Sequence, residues 1–368
     1  MLVDFPSPAS GRGCLWHLAV RALHFIEVGL FMLKKLMLGF LIFYSIAAFP
    51  LNLHEEPAVR AYIERISKEH GFNETQLNYW FGQVKFNESV LAKMNPPPVQ
   101  WRPRPPGVVI SNPWYKYREI FVTEERVQRG VAFWKKNAQM LVEAEHRYGV
   151  PAEVIAGIIG VESMYGPDKG HYSVINTLST LAFHFPRRSQ YFTSELTQFL
   201  LLCRKEGWDP LEIKGSYAGA LGIPQFMPSS YRSYAVDADN SGSSNLFDND
   251  HDTILSVANY LQKNGWQKGK PVALPAKVTN DKYVMLANQN GKLRFTVKEL
   301  HEYGLKPKKS VSGKTPAGVL FLQQPDNMEY WMTFPNFMVL KRYNANTRYA
   351  MMVYELGNIV KEASKKRG

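Results

Sequence analysis

Cysteine is scarce in this sequence: Cys14 and Cys203 are the only two in 368 residues. Two thiols so placed give no disulfide framework and no metal-ligand spacing. Cys203 ends the apolar run Phe199–Leu200–Leu201–Leu202 and reads as a buried core thiol. The nine histidines contain no HExxH and no paired metal spacing. His184, between Phe183 and Phe185, reads as packed, not ligating. No Lys/Arg run with interleaved aromatics marks a nucleic-acid module, and no repeat recurs at a solenoid period. The uncharged run from Leu36 to Ala48 is short for a membrane span, which needs about 20 residues. Uncharged residues continue to Leu53, so an uncleaved anchor stays open as the alternative.

Hydrophobic types make up 45% of the chain and aromatics 13%, which is too rich for a disordered chain. That is enough for one large domain or two to three smaller ones. The formal net charge of +12 suits an acidic polymer: nucleic acid, anionic lipid or an anionic cell-wall glycan.

The N-terminus carries an export signal. Lys34–Lys35 precede the apolar run, and Ser45–Ile46–Ala47 offers small residues at a cleavage site. Residues 1–47 are therefore read as an N-terminal extension and cleavable signal peptide, with Met1 or Met32 as the start. The mature chain is expected in the periplasm, beginning near Ala48. Cys14 follows Gly11–Arg12–Gly13, which is no lipid-attachment pattern.

Helical periodicity runs from Glu56 to about Met94, with Val59, Tyr62, Ile63 and Ile66 on one stripe. Prolines then crowd residues 95–106 and predict an extended strap. Thr123 is placed to cap a helix opening with Glu124–Glu125. Residues 151–265 read as helices joined by Gly/Pro-rich loops. From Pro271 to about Leu322 short runs such as Tyr283–Leu286 and Leu293–Val297 alternate with turn residues, which predicts a β-rich insert. Helix returns after Asn336, most clearly over Tyr349 to Lys361.

Three segments carry chemistry. In the helix between Pro151 and Gly166, Ile155, Ile158, Ile159 and Glu162 fall at i, i+3, i+4 and i+7. A carboxylate in the next slot of an apolar stripe has a raised pKa and can serve as a general acid. The alternative is a helix-end glutamate turned to solvent or paired with arginine. Ser216 to Ser230 is rich in small residues that let backbone approach a ligand, and Gln225 offers an amide suited to sugar hydroxyls and N-acetyl groups. A packed turn is the alternative. Asp237, Asp239, Ser241, Ser243 (through its backbone) and Asp248 follow EF-hand spacing, with Gly242 at position six. Ser241 at position five and Asp248 at position twelve depart from the pattern; a solvated loop is the alternative. Arg187–Arg188 could hold an anionic or acetylated ligand.

These segments, in this order, resemble the lytic murein transglycosylase B family. The carrying residues are Gly160–Gly166, Phe185–Arg188, Ser216–Ala220 and Gln225–Tyr231, extended by Tyr234–Asp237, Ser256–Tyr260 and Leu340–Asn344. The likeness spans most of residues 55–362, and the Glu–Ser pair followed by a Gly-rich segment also looks like the goose-type lysozyme superfamily. It implies an α+β, mainly helical fold: a lysozyme-like catalytic core over 121–265 with the EF-hand-like loop 237–248, an accessory helical domain over 48–120 completed by 333–368, and a small β-rich domain over 266–332. It implies that Glu162 is the acid/base, and that Tyr117, Arg187, Arg188, Ser216 and Gln225 contact glycan, joined by Asn336 and Tyr343. It implies no cofactor for the chemistry and a structural Ca²⁺ in the loop. The expected partner is peptidoglycan, with no nucleic acid. The chain is expected to be a monomer, with cell-wall synthases as further partners. Competing readings are a lysozyme-type hydrolase, a catalytically dead scaffold and a calcium sensor.

Most glycosidases need two carboxylates. The sequence offers no obvious second acid near Glu162; Asp168 is closest but lies in the loop after the helix. A single glutamate would protonate the leaving oxygen and then deprotonate the muramoyl 6-hydroxyl, giving a 1,6-anhydro sugar.

Overall fold

The computed structural model describes residues 53–95, 113–287 and 289–366. The signal-peptide reading and all of the strap but Asn95 lie outside the described residues. Among the described residues no helix is long and apolar enough to cross a membrane.

The chain first forms α1 (Pro57–His70), α2 (Glu74–Gln83) and α3 (Glu88–Met94). Val59, Tyr62, Ile63 and Ile66 are the buried face of α1, as the periodicity predicts. Asn73 and Asn87 are N-caps; their side chains accept from Gln76 N at 3.0 Å and Val90 N at 3.3 Å. Then follow α4 (Trp114–Phe121), α5 (Glu124–Lys136), α6 (Ala138–Tyr148) and α7 (Ala152–Ser163). Thr123 caps α5, accepting from Arg126 N at 3.2 Å. Pro151 is the cap of α7, not its first turn, and the helix stops before Gly166 because Met164 and Tyr165 turn left-handed, with φ of 56° and 64°. A two-residue ribbon pairs β1 (Tyr172–Ser173) with β2 (Lys214–Gly215), around α8 (Val174–His184) and α9 (Ser189–Glu206). Helices α10 (Pro228–Tyr234) and α11 (Asp250–Lys263) flank the acidic loop.

The β-rich part holds β3 (Ala273–Val278), β4 (Phe295–Thr296), α12 (Val297–Glu302), β5 (Leu305–Pro307), β6 (Pro316–Gln323) and β7 (Met328–Thr333). They make an antiparallel sheet in the order β4-β6-β7-β3-β5. Tyr283–Leu286 is not a strand. Asn280 caps Lys282 N at 3.0 Å and starts a 3₁₀ turn instead. Leu293–Val297 is a strand only at Phe295–Thr296, since Thr296 and Glu299 form a capping box that opens α12. Two helices finish the chain, α13 (Pro335–Tyr343) and α14 (Thr347–Lys366).

One hydrophobic core runs from Val59 through Val360, so the expected boundary near residue 120 is not a break in packing. The sheet has a separate core of Leu274, Val297, Leu300, Leu305, Met332 and Phe334. Helix α7 belongs to the first of these cores, with Ala152 and every residue from Val154 to Gly160 buried. A Cβ on Gly157 would stand 2.2 Å from the Val353 carbonyl oxygen, and one on Gly357 would stand 1.9 Å from that of Glu153. Only glycine permits this approach. Residue 153 thus faces 357 and 157 faces 353, an antiparallel register that brings the start of α14 to the end of α7.

Candidate active site

That register sets Tyr349 against Glu162. The Tyr349 hydroxyl donates to Glu162 Oε1 at 2.5 Å. Glu162 is half-buried, and burial pushes its carboxyl up to about 7, with the Tyr349 hydrogen bond pulling the other way. No second carboxylate contributes to the shift. A group poised near neutral can give a proton and take one back. Burial also raises the hydroxyls of Tyr349 and Tyr343 well above the ordinary tyrosine value, and the Glu162 charge adds to both. The two rings stack at 6.4 Å and 15°.

Tyr343 links this pair to the Gly-rich turn. Its hydroxyl donates to the Pro224 carbonyl at 2.6 Å. The next residue, Gln225, is non-glycine yet has φ of 52°. Its Nε2 donates to the carbonyls of Gly222 at 2.8 Å and Lys169 at 3.2 Å. Ser216 accepts at Oγ from Ala220 N at 3.0 Å and Ala218 N at 3.2 Å. Its hydroxyl donates no hydrogen bond among the described residues. Tyr117 is raised by burial and feels both Arg348, which lowers it, and Glu162, which raises it. The Arg348 guanidinium lies 4.8 Å from the Tyr117 ring centre. Beside Arg348 opens a cavity of about 700 Å³ lined by Trp114, Asn346, Thr347, Gln323 and Met328.

Glu162, Tyr117, Tyr343 and Gln225 are thus brought into one connected neighbourhood. Arg187 and Arg188 are exposed in the turn Pro186–Arg188, where the Arg188 guanidinium sits 4.1 Å from the Tyr191 ring centre. No contact joins them to Glu162 among the described residues. Asn336 is a correction. It has no exposed surface, accepts from Gln267 N at 2.8 Å, and donates to the carbonyls of Gln267 and Lys270 at 2.9 and 2.8 Å. It locks the loop after α11, and its amide has no free group for a sugar. Tyr349 carries no chemical signal in the sequence: the periodicity of its helix is legible there, its partner Glu162 is not.

The acidic loop also departs from expectation. Asp248 does not join the carboxylate cluster. It is exposed and pairs with Lys169 Nζ at 2.7 Å. Asp252, in the first turn of α11, takes its place. Carboxylate oxygens of Asp237, Asp239 and Asp252 all lie within 4.8 Å of one another. Asp252 is fully buried and accepts from Ala238 N at 2.9 Å and Asn245 N at 2.7 Å. Burial raises its carboxyl, the two backbone bonds oppose this, and Asp239 and Asp237 add to the rise. Converging carboxylate oxygens fit a hard cation such as Ca²⁺. Ser241 donates at N to Asp237 at 3.0 Å and Asp239 at 3.1 Å, and at Oγ to the Ser243 carbonyl at 3.1 Å. Cys203 is buried and His184 bonds Glu56 at 3.0 Å, so neither takes part.

Residues 54–358 match the family model described as the transglycosylase SLT domain. The chain is 41% identical over 304 residues to the membrane-bound lytic murein transglycosylase B of Escherichia coli, spanning 83% of this chain and 82% of that one. The soluble lytic transglycosylase SltB1 of Pseudomonas aeruginosa, in its catenated form, superposes with a TM-score of 0.77 at 38% identity, over 84% of this chain and 99% of that one. The Escherichia coli lytic transglycosylase Slt35 in complex with calcium superposes with a TM-score of 0.75 at 39% identity, over 84% of this chain and 94% of that one. The resemblance read from the sequence holds on all three counts: this chain belongs to the transglycosylase SLT family of lytic murein transglycosylases.

Proposed function

We propose that this chain cuts peptidoglycan strands at the β-1,4 bond between N-acetylmuramic acid and N-acetylglucosamine, without water, leaving 1,6-anhydro-muramoyl ends. The observation that carries the reading is Glu162: one carboxyl held near 7 by burial and bonded to Tyr349, with no carboxylate contributing to that shift. A hydrolase of the usual kind places a second carboxyl about 5 to 9.5 Å away to attack or to activate water. Here Glu162 protonates the leaving oxygen as an acid. The carboxylate so formed keeps the Tyr349 bond and takes the proton from the muramoyl 6-hydroxyl. That oxygen closes on C1, the leaving sugar departs with Glu162's first proton, and the glutamic acid is restored. Atoms and protons balance with no water consumed.

Tyr117, Ser216 and Gln225 are the side chains we assign to glycan binding. Arg187 and Arg188 form an exposed cationic rim for the acidic polymer, and Tyr343 supports the site through Pro224. Asp237, Asp239 and Asp252 are assigned to a structural Ca²⁺, with Ser241 and the Ser243 carbonyl at its edge. No step of the reaction passes through the ion. Export to the periplasm follows from the sequence reading of residues 1–47.

Mass spectrometry of the muropeptides released by the native enzyme and by Glu162→Gln tests this. Anhydro-ended products from the native enzyme alone support the reading. Reducing-end muramic acid in their place would refute ring closure. The variant should lose on the order of 10²-fold or more of rate, the scale of a general acid.

A further inference from the structure

The loop that leaves α7 ends at Lys169–Gly170, and this pair meets both glycan-facing turns. The Lys169 carbonyl accepts from Gln225 Nε2 at 3.2 Å. Gly170, with φ of 83°, packs so closely that a Cβ would stand 2.2 Å from the Gly215 carbonyl oxygen and 2.6 Å from Ser216 N. The Lys169 side chain reaches away from both. Its ammonium donates to the Phe247 carbonyl at 2.8 Å and to Asp248 Oδ1 at 2.7 Å. The neighbouring bond from Ile223 N to the Leu246 carbonyl, 2.8 Å, ties the Gly-rich turn to the same stretch. Lys169 therefore ties the Gln225 side chain to the Phe247–Asp248 stretch, while Gly170 beside it packs against Gly215 and Ser216.

The clamp decides what Gln225 presents. A side-chain amide has two donors and one carbonyl oxygen, and its orientation is set by its neighbours. Both neighbours here are carbonyl acceptors, Gly222 and Lys169, so Nε2 faces inward and both hydrogens are occupied. Oε1 accepts no hydrogen bond among the described residues. It is left as an acceptor for a donor on the ligand. On a strand of N-acetylated sugars the donors in reach are acetamido N–H groups and ring hydroxyls.

We propose that Lys169 is a positioning residue for substrate recognition. Its ammonium, held by Phe247 and Asp248, fixes the carbonyl that orients Gln225, so that Oε1 is offered to an acetamido N–H or hydroxyl of the bound glycan. This rests on the assignment of Gln225 to glycan binding above. Loss of the clamp weakens ground-state binding of the glycan more than the bond-breaking step, which belongs to Glu162.

The test is a double-mutant cycle on soluble, uncrosslinked glycan strands, with kcat and KM measured for the native enzyme, Lys169→Met, Gln225→Ala and the double variant. Lys169→Met should raise KM about tenfold with kcat changed less than about twofold. In the Gln225→Ala background the same change should add less than about twofold, because its target is gone. Lys169→Arg, which keeps a cation for both acceptors, should recover most of the loss. If the two single effects multiply, Lys169 does not act through Gln225 and the proposal fails. It fails also if Lys169→Met leaves KM unchanged, or lowers kcat and the unfolding temperature together without rescue by arginine. A failure of the proposed reaction would show separately, as native enzyme that releases no anhydro-ended product.

Discussion

Replacing Glu162 with glutamine should make the protein more stable while it destroys activity, and the gain should depend on pH. Burial raises the carboxyl from 4.5 to about 7. The folded state thus prefers the protonated form. The stability that preference supplies is fully present below the unfolded value of 4.5 and is lost as pH rises through the folded value of about 7. Above that, the folded protein holds an ionised carboxylate in a poorly solvated place. The shift of 7 − 4.5 corresponds to about 3 kcal/mol, and partial exposure of the side chain lowers this toward about 2 kcal/mol. Glutamine keeps the volume and an oxygen for the Tyr349 hydroxyl, so it removes the charge alone. Urea unfolding of both proteins at pH 5 and pH 8 measures the effect. The variant's advantage should be about 1 kcal/mol larger at pH 8, on the order of 2 °C in melting temperature. An advantage of the same size at both pH values, or a native enzyme more stable at pH 8, would show that burial does not set the pKa of Glu162.

Three further expectations follow from particular contacts. Tyr349→Phe removes a donor that favours the carboxylate, so the alkaline limb of the pH–rate profile should move up by about 1 unit, the size of a hydrogen bond to a charged group; a limb that stays or moves down would contradict this. Gly357→Ala puts a Cβ 1.9 Å from the Glu153 carbonyl oxygen, where both sides are helix backbone, and should cost about 3 kcal/mol or more with a matching loss of activity; chemical denaturation and rate measurement check it, and a variant that is stable and active would mean the helices can part freely. Added Ca²⁺ should raise the melting temperature of the native protein and of Asp248→Asn but not of Asp252→Asn, since only Asp252 stands with Asp237 and Asp239; the reverse pattern would restore Asp248 as the ligand.

What could be read from the sequence divides along a physical line. The buried face of α1, the cap at Thr123, and the placing of Glu162 on an apolar stripe depend on neighbours a few residues away. Patterns at helical spacing carry that information. The strand reading of Tyr283–Leu286 gives way to an equally local competitor, because the Asn280 cap outweighs two β-prone side chains, Tyr283 and Val284, with no paired neighbour.

Residues whose partner is distant were harder to place. Asp248 has the right position in the loop template, but a lysine from the loop after α7 takes its carboxylate. Asp252 lies beyond the template, yet the first turn of α11 swings it back to Ala238 and Asn245. A legible signal was present there: Asn249 caps a helix whose first turn holds Asp250 and Asp252. Asn336 matched a family position but faces loop carbonyls. The same distance governs Glu162. Its candidacy needs only α7, whereas its proton affinity needs α14 laid antiparallel across two glycines so that Tyr349 and Tyr343 close over the carboxylate. A local pattern can therefore single out the acid we propose, but the raised carboxyl on which that proposal stands is made with a helix at the other end of the chain.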